Sequence, residues 1–249
     1  MNITVINGTE QRGCTYQMKE QFLAAMGNGH SVTEYYLPKD CPEFCTGCKA
    51  CFAKDISVCP HARYTVPIWE SLRAADLLVF SLPVYVFHAP GQMKALLDHF
   101  ATKWMAHSPD IAMFSKQAVI ITNGIGQGMG KTTRDVKDSL DFWGVARTHA
   151  IKQPLFQGKW ENVSGKTKLA IEKKSMKLAA KIKSGVHVKP GLKVRGIFFI
   201  MRMAQKMIDR SEHKAGRPRT ADYLYWEKNG WLDGNKPWRV NNVEDKAAS

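Results

Sequence analysis

The segment Asn2-Ile-Thr-Val-Ile-Asn-Gly-Thr-Glu-Gln-Arg-Gly-Cys-Thr15 does more than any other to limit what this chain can fold into. Its β-branched run, with Ile3, Val5 and Ile6, reads as a buried parallel strand. The run breaks at Gly8 and Gly13, and Met18, Phe22, Leu23 and Met26 then follow at helical spacing. A strand, a glycine turn and a helix together form a phosphate cradle, because the helix aims its positive N-terminus and free amides back at the turn. Thr9, Arg12 and Thr15 can each offer a donor to a phosphate monoester there. An ordinary turn facing water has the same outline, so the reading depends on whether later loops repeat the pattern.

Two later strands run into equally unusual loops. Ala74 to Ser81 reads as a fully buried strand and leads into Leu82-Pro-Val-Tyr-Val-Phe-His-Ala-Pro-Gly91. Gln117 to Thr122 is the next strand and leads into Asn123-Gly-Ile-Gly-Gln-Gly-Met-Gly130. Ser31 to Leu37 and Val145 to Pro154 supply two more strands. Helices are predicted from Thr65 or Pro67 through Leu72, from Gln92 to about Met105, from the glycine loop to about Phe142, and from Gly165 to Ser184. Strands and helices in alternation imply an α/β doubly wound parallel sheet covered on both faces. Right-handed crossovers favour the five-strand order 2-1-3-4-5, with ligand at the carboxyl ends of strands one, three and four. The three unusual loops fall at those ends.

At 249 residues and 44% hydrophobic, the chain can bury one such domain, residues 1–189, with an appendage. Residues 190–240 form a basic helical arm: Val194 to about Ile208 is apolar and Met-rich but carries Arg195, Arg202 and Lys206, and aromatics crowd Thr220 to Trp231. The arm is expected to fold over the domain or onto a second subunit, with a basic helix lying on a membrane surface as the sharper option. Residues 241–249 read as a disordered tail. Lys and Arg exceed Asp and Glu by 36 to 22, a net charge of +14 concentrated between Lys152 and Arg219. Such a balance suits anionic partners or a solvated helix face, and no nucleic-acid motif accompanies it. The start lacks a signal-peptide pattern and no apolar run approaches the roughly 18 residues of a membrane span, so a cytoplasmic protein is expected.

All six cysteines precede residue 60, too early to staple the rest of the fold. In a reducing compartment they point to metal or redox chemistry. Five fall in the loop 38–63, where Cys45-x2-Cys48-x2-Cys51-x7-Cys59-Pro60 sets three thiols within seven residues and a fourth before proline. That spacing suits a [4Fe-4S] cluster, with Cys41 as a spare ligand. Zinc, a redox dithiol and reduced structural thiols are the alternatives, and His61 reads as a loop histidine.

The phosphate loop, the cysteine motif, Ser81-x-Pro83-Val-Tyr85 followed by Lys94-x-x-x-Asp98, and the glycine loop together resemble the flavodoxin-fold NAD(P)H-dependent FMN reductases, and among them the iron-sulfur flavoproteins. The resemblance spans roughly residues 1–184. It implies that Thr9, Arg12, Gly13, Cys14 and Thr15 hold the FMN phosphate. It also implies that Pro83, Val84, Tyr85, Val86 and Phe87 line the isoalloxazine, and that Asn123, Gly124 and Gly126 close the other side. Cys14 stands where the family more often has Asn or Ser, and a thiol is the weaker donor. His99 stands where the family usually has Arg. The resemblance also implies a homodimer or higher homo-oligomer. Residues 124–132 approach a nucleotide-binding P-loop, but Ile125 occupies the position of its first glycine.

The expected protein is an FMN-dependent oxidoreductase passing electrons from NAD(P)H or a reduced redox protein to an acceptor, with Cys45, Cys48, Cys51 and Cys59 as the ligands of any [4Fe-4S] cluster it carries. Its rivals are a non-catalytic electron carrier serving a dedicated partner, and a nucleic-acid or membrane binder with a vestigial pocket.

Overall fold

In the computed structural model, which describes residues 1–185 and 188–239, the organising element is a five-stranded sheet. Its strands are β1 (Asn2–Asn7), β2 (Ser31–Tyr36), β3 (Leu77–Pro83), β4 (Gln117–Gly124) and β5 (Arg147–Pro154). Their order is β2-β1-β3-β4-β5, and every pairing is parallel. The expected order is therefore the observed one. Central strands show why: Ile3 and Val5 of β1, with Leu77 and Val79 of β3, face one layer, whereas Ile6, Leu78 and Phe80 face the other.

On the first face lie α1 (Cys14–Met26) and α6 (Gly165–Lys183), which bring Met18, Phe22, Ile171 and Ile182 onto the sheet. On the second lie α3 (Ala62–Ala74), α4 (Gly91–His99) and α5 (Met129–Trp143). That second layer is cemented by Trp69, Phe100 and Trp143, whose rings meet at 5.1–5.8 Å. A four-residue helix, α2 (Ala50–Ala53), lies within the cysteine-bearing loop.

Boundaries shift for identifiable reasons. Helix α3 begins at Ala62, so Pro67 lies inside it and not at its start. Helix α4 stops at His99 and not at Met105, because Met105 N–H bonds to Phe142 O at 2.7 Å and Trp104 stacks on Phe142, which pulls the chain out of line.

The C-terminal region consists of α7 (Leu192–Lys214) and α8 (Ala221–Lys228). Val194, Phe198, Trp226 and Trp231 form a third cluster with Met105 and Phe114 of the sheet domain. Gln205, Trp226 and Tyr225 donate to the carbonyls of Ala106, His107 and Pro109, and Lys193 pairs with Asp141. The anchoring segments lead into β4 and β5, so the arm sits at the amino ends of the strands. The tail expected over 241–249 lies outside the described residues. Among the described residues, no helix is long and apolar enough to cross a membrane.

One polar network ties the end of β1 to α1. Lys19 is fully buried, and its ammonium reaches Glu34 of β2 at 2.7 Å and Glu20 at 2.6 Å. Glu34 also accepts from Asn7 Nδ2 at 2.8 Å and Tyr36 OH at 2.9 Å. Burial alone would raise the Glu34 carboxyl, but the hydrogen bonds from Lys19, Asn7 and Tyr36 outweigh it and hold the group below its ordinary 4.5. A depressed carboxyl stabilises the fold above its unfolded value, and the contribution disappears as pH falls through the lower folded value. Glu34→Gln should therefore cost about 2 kcal/mol at neutral pH and flatten the stability profile below about pH 4.5, read by urea unfolding. An unchanged acid limb would show that this network does not carry the coupling.

Candidate functional site

Parallel pairing brings the loop-bearing strand ends to one edge. Asn7 lies opposite Ser81, Pro83 opposite Asn123, and Gly124 opposite Pro154. The loops leaving that edge surround an open cleft lined by Thr9, Gln11, Gly13, Cys14, Thr15, Pro83, Val84, Tyr85, Asn123, Gly124, Ile125, Leu155, Gln157 and Gly158.

The β1–α1 turn supplies the polar end. Gly13 caps α1 without any side-chain hydrogen bond, and the first turn carries no acid. The helix therefore presents its first amides and positive end without a competing carboxylate, as an anion site requires. A Cβ built on Gly13 would meet nothing within 4 Å, so there is room for a ligand group. Gln92 of α4 holds the turn from behind, donating from Nε2 to Gly8 O at 2.8 Å.

The β3–α4 loop is held in an uncommon shape. Val86 and Phe87 adopt φ of 47° and 67°, which a β-branched or bulky side chain rarely tolerates. Asp135 of α5 fastens the loop by accepting from Ala89 N–H at 2.8 Å and contacting His88 Nδ1 at 3.1 Å. The β4–α5 loop packs beneath it. Gly128 has φ +85°, and a Cβ there would lie 2.5 Å from Val84 Cγ1 and 2.9 Å from the Phe87 backbone. Asn123 joins all three loops: Thr15 Oγ1 bonds to its side chain and Val84 N–H to its carbonyl.

Of the predicted flavin contacts, Thr9, Gly13, Cys14, Thr15, Pro83, Val84, Tyr85, Asn123 and Gly124 line the cleft, whereas Arg12, Val86, Phe87 and Gly126 stand outside its wall. Arg12 is exposed and stacks on Tyr16. Cys14 turns its thiol toward Gln157 O at 3.6 Å, and burial, with Glu161 nearby, pushes that thiol above its usual value. It thus lines the cleft as a neutral group. Sequence reasoning missed Gln11, Ile125 and the loop Leu155–Gly158. The last of these follows β5 to the same edge, where Leu155 N–H bonds to Gly124 O at 3.0 Å. Lys94 and Asp98 pair with each other on the exposed face of α4 and do not line the cleft.

The cysteine loop lies along the α3–α4 layer. Gly47 and Lys49 adopt left-handed conformations that wrap the chain between Cys45 and Cys51. Burial raises the Cys51 thiol, and Cys59, Cys45 and Cys48 are close enough to raise it further. Cys41 is buried apart from solvent, and its thiol is pushed up to about 11 by burial. Among the described residues, the tightest donor set differs from the expected one: atoms of Cys59, His61 and His99 lie within 4.8 Å of one another. His99 is buried, with Nε2 3.0 Å from Glu43 O and Nδ1 4.0 Å from Cys59 Sγ.

A profile of the NADPH-dependent FMN reductase family matches residues 1–157. The chain belongs to that family. It is a flavin oxidoreductase, and FMN is the cofactor the family uses. A curated relative, the iron-sulfur flavoprotein of Methanosarcina thermophila, is 26% identical over 149 residues, covering 58% of this chain and 75% of its own length. Among solved structures, an FMN-dependent NADH-azoreductase of Bacillus anthracis, in complex with FMN, aligns with a TM-score of 0.55 at 12% identity. That alignment covers 73% of this chain and 99% of the azoreductase. An NAD(P)H:quinone oxidoreductase of Methanothermobacter marburgensis aligns at 0.55 with 15% identity, over 74% and 97% of the two chains. These likenesses establish the flavodoxin-like fold of this reductase.

Gly128→Ala should displace the Val84–Phe87 loop, cost about 2 kcal/mol and weaken FMN binding at least about tenfold by fluorescence titration. Gly130→Ala, whose Cβ meets nothing within 4 Å, is the control and should bind normally. Equal binding by the two variants would remove the loop contact from the account.

Proposed function

We propose that the protein takes electrons from NAD(P)H, or from a reduced redox protein, and delivers them through FMN in this cleft to a separate acceptor. The observation that carries the reading is the uncapped end of α1 facing, across the cleft, the rigid loop at Pro83–Tyr85. The amides of Cys14 onward, with Thr9 and Thr15, would hold the phosphate. Val84, Tyr85 and Gly124 would bound the ring. Among the described residues lining the cleft there is no carboxylate or histidine, and the Cys14 thiol is held neutral, so no side chain offers a general base. Hydride and electron transfer then belong to the bound flavin, and the protein supplies position and exclusion of water.

Tyr85, Val86, Phe87, Ile125 and Phe156 leave an exposed apolar rim around the mouth. This supports a second copy of the chain, or the nicotinamide donor, closing over the ring. A homodimer acting in the cytoplasm is the assembly and setting we propose.

Cys45, Cys48, Cys51 and Cys59 would hold a [4Fe-4S] cluster, which when bound supplies single-electron steps. Their donor chemistry fits, and Cys51 stands within electrostatic reach of the other three. The convergence of Cys59, His61 and His99 favours a second reading, a single zinc-like ion. Its support is the outer contact of His99 to Glu43 O, an arrangement common behind metal-binding histidines.

The test is a visible spectrum of anaerobically purified protein, with iron, acid-labile sulfide and zinc assays, followed by addition of NADPH or NADH. Bleaching of the flavin bands within seconds is expected. Reduction only by a ferredoxin-type donor would select the redox protein as the electron source, and reduction by such a donor without turnover of any added acceptor would make the protein a carrier instead. Cys48→Ser should remove iron and any broad brown absorbance but leave the flavin peaks. Zinc that survives Cys48→Ser and is lost in His99→Ala would replace the cluster with the mononuclear site.

A further inference from the structure

Helix α7 is apolar on two opposite sides. One side, with Val194, Phe198 and Gln205, is buried against the domain. Leu192, Ile200, Met203 and Met207 recur at helical spacing on the far side and are 86%, 63%, 60% and 66% exposed, with Phe199 beside them. A helix apolar on both sides is ordinarily buried on both. Here the second stripe faces outward.

The charges beside the stripe are of one sign. Helix α7 has six Lys or Arg residues and two acids, and both acids are occupied: Asp209 pairs with Arg219 and Glu212 with Arg217. Lys206, Arg210 and Lys214 have no ion-pair partner among the described residues, and Lys236 places its ammonium 5.6 Å from the Phe199 ring centroid. A second copy of this helix fits such a face poorly. Parallel pairing brings like charges together in register, and antiparallel pairing sets Arg210 and Lys214 toward Arg195, Lys193 being already paired with Asp138 and Asp141. An acidic, apolar-cored surface matches both features at once.

We propose that the outer face of α7 docks the protein on an anionic lipid surface. The apolar stripe enters the boundary between headgroups and acyl chains, and the flanking cations meet lipid phosphates. The arm is fastened at the amino ends of the strands, where Gly191 N–H bonds to Ala146 O. The cleft at the opposite strand ends therefore keeps its mouth in water. This inference does not rest on the flavin reading, because no cleft residue takes part in it.

The test floats full-length, FMN-loaded protein with vesicles of phosphatidylglycerol and phosphatidylcholine, or of phosphatidylcholine alone. Wild type should float with the anionic vesicles and stay behind with the neutral ones. Met203→Asp/Met207→Asp and Lys206→Glu/Arg210→Glu should each reduce flotation by about tenfold, with flavin absorbance and circular dichroism unchanged. Three results would each overturn the proposal. One is an absence of flotation with anionic vesicles. Another is flotation of the Met variant equal to wild type, which would leave charge as the sole contact. The third is self-association in sedimentation that Met203→Asp abolishes without any vesicle binding, which would assign the face to a second copy.

Discussion

Asn123 is the point on which the site depends. Its side chain accepts from Thr15 Oγ1 in the first turn of α1 and its carbonyl from Val84 N–H in the second loop, while its own loop begins just beyond Gly124. A parallel sheet delivers three strand ends to one edge, but only to within the freedom of the loops. The Asn123 bonds convert that proximity into a fixed distance between the α1 amides and the Pro83–Tyr85 backbone. The Lys19–Glu34–Asn7 network does the same from below by fixing α1 against β1 and β2.

Strain and packing keep the second loop in place. Val86 and Phe87 would relax out of their left-handed conformations if the loop were free. Asp135 pins one side, and the absent Cβ of Gly128 lets the β4–α5 loop press from the other. The cleft wall is thus rigid before any ligand arrives, which reduces the ordering cost of binding.

Much of this was legible in the residues. The β-branched runs of β1, β3 and β4 and the composition of the loops after them specified the strand order and the edge that carries the cleft. The limits have physical causes. Leu155–Gly158 carries a single glycine and a single side-chain donor, Gln157, too little to stand out, so only its position in the sheet could have flagged it. The end of α4 is set by a contact with Phe142, more than forty residues away in sequence, and local periodicity cannot report that. His99 reads as a lost charge in sequence. Three dimensions place it against Cys59, because the cysteine loop folds back along α4. The double apolar character of α7 is visible in the sequence, but which stripe faces the domain is decided by Trp226 and Trp231.

The central claim is that the free end of α1 recognises a phosphate carried by a flat ring. It is tested most directly by titrating flavin-free protein with FMN and with riboflavin, which differ in that phosphate alone. FMN should bind at least about 100-fold more tightly, a difference of about 2.7 kcal/mol. Equal affinities would contradict the account, because the helix end would then hold nothing that the ring does not already secure.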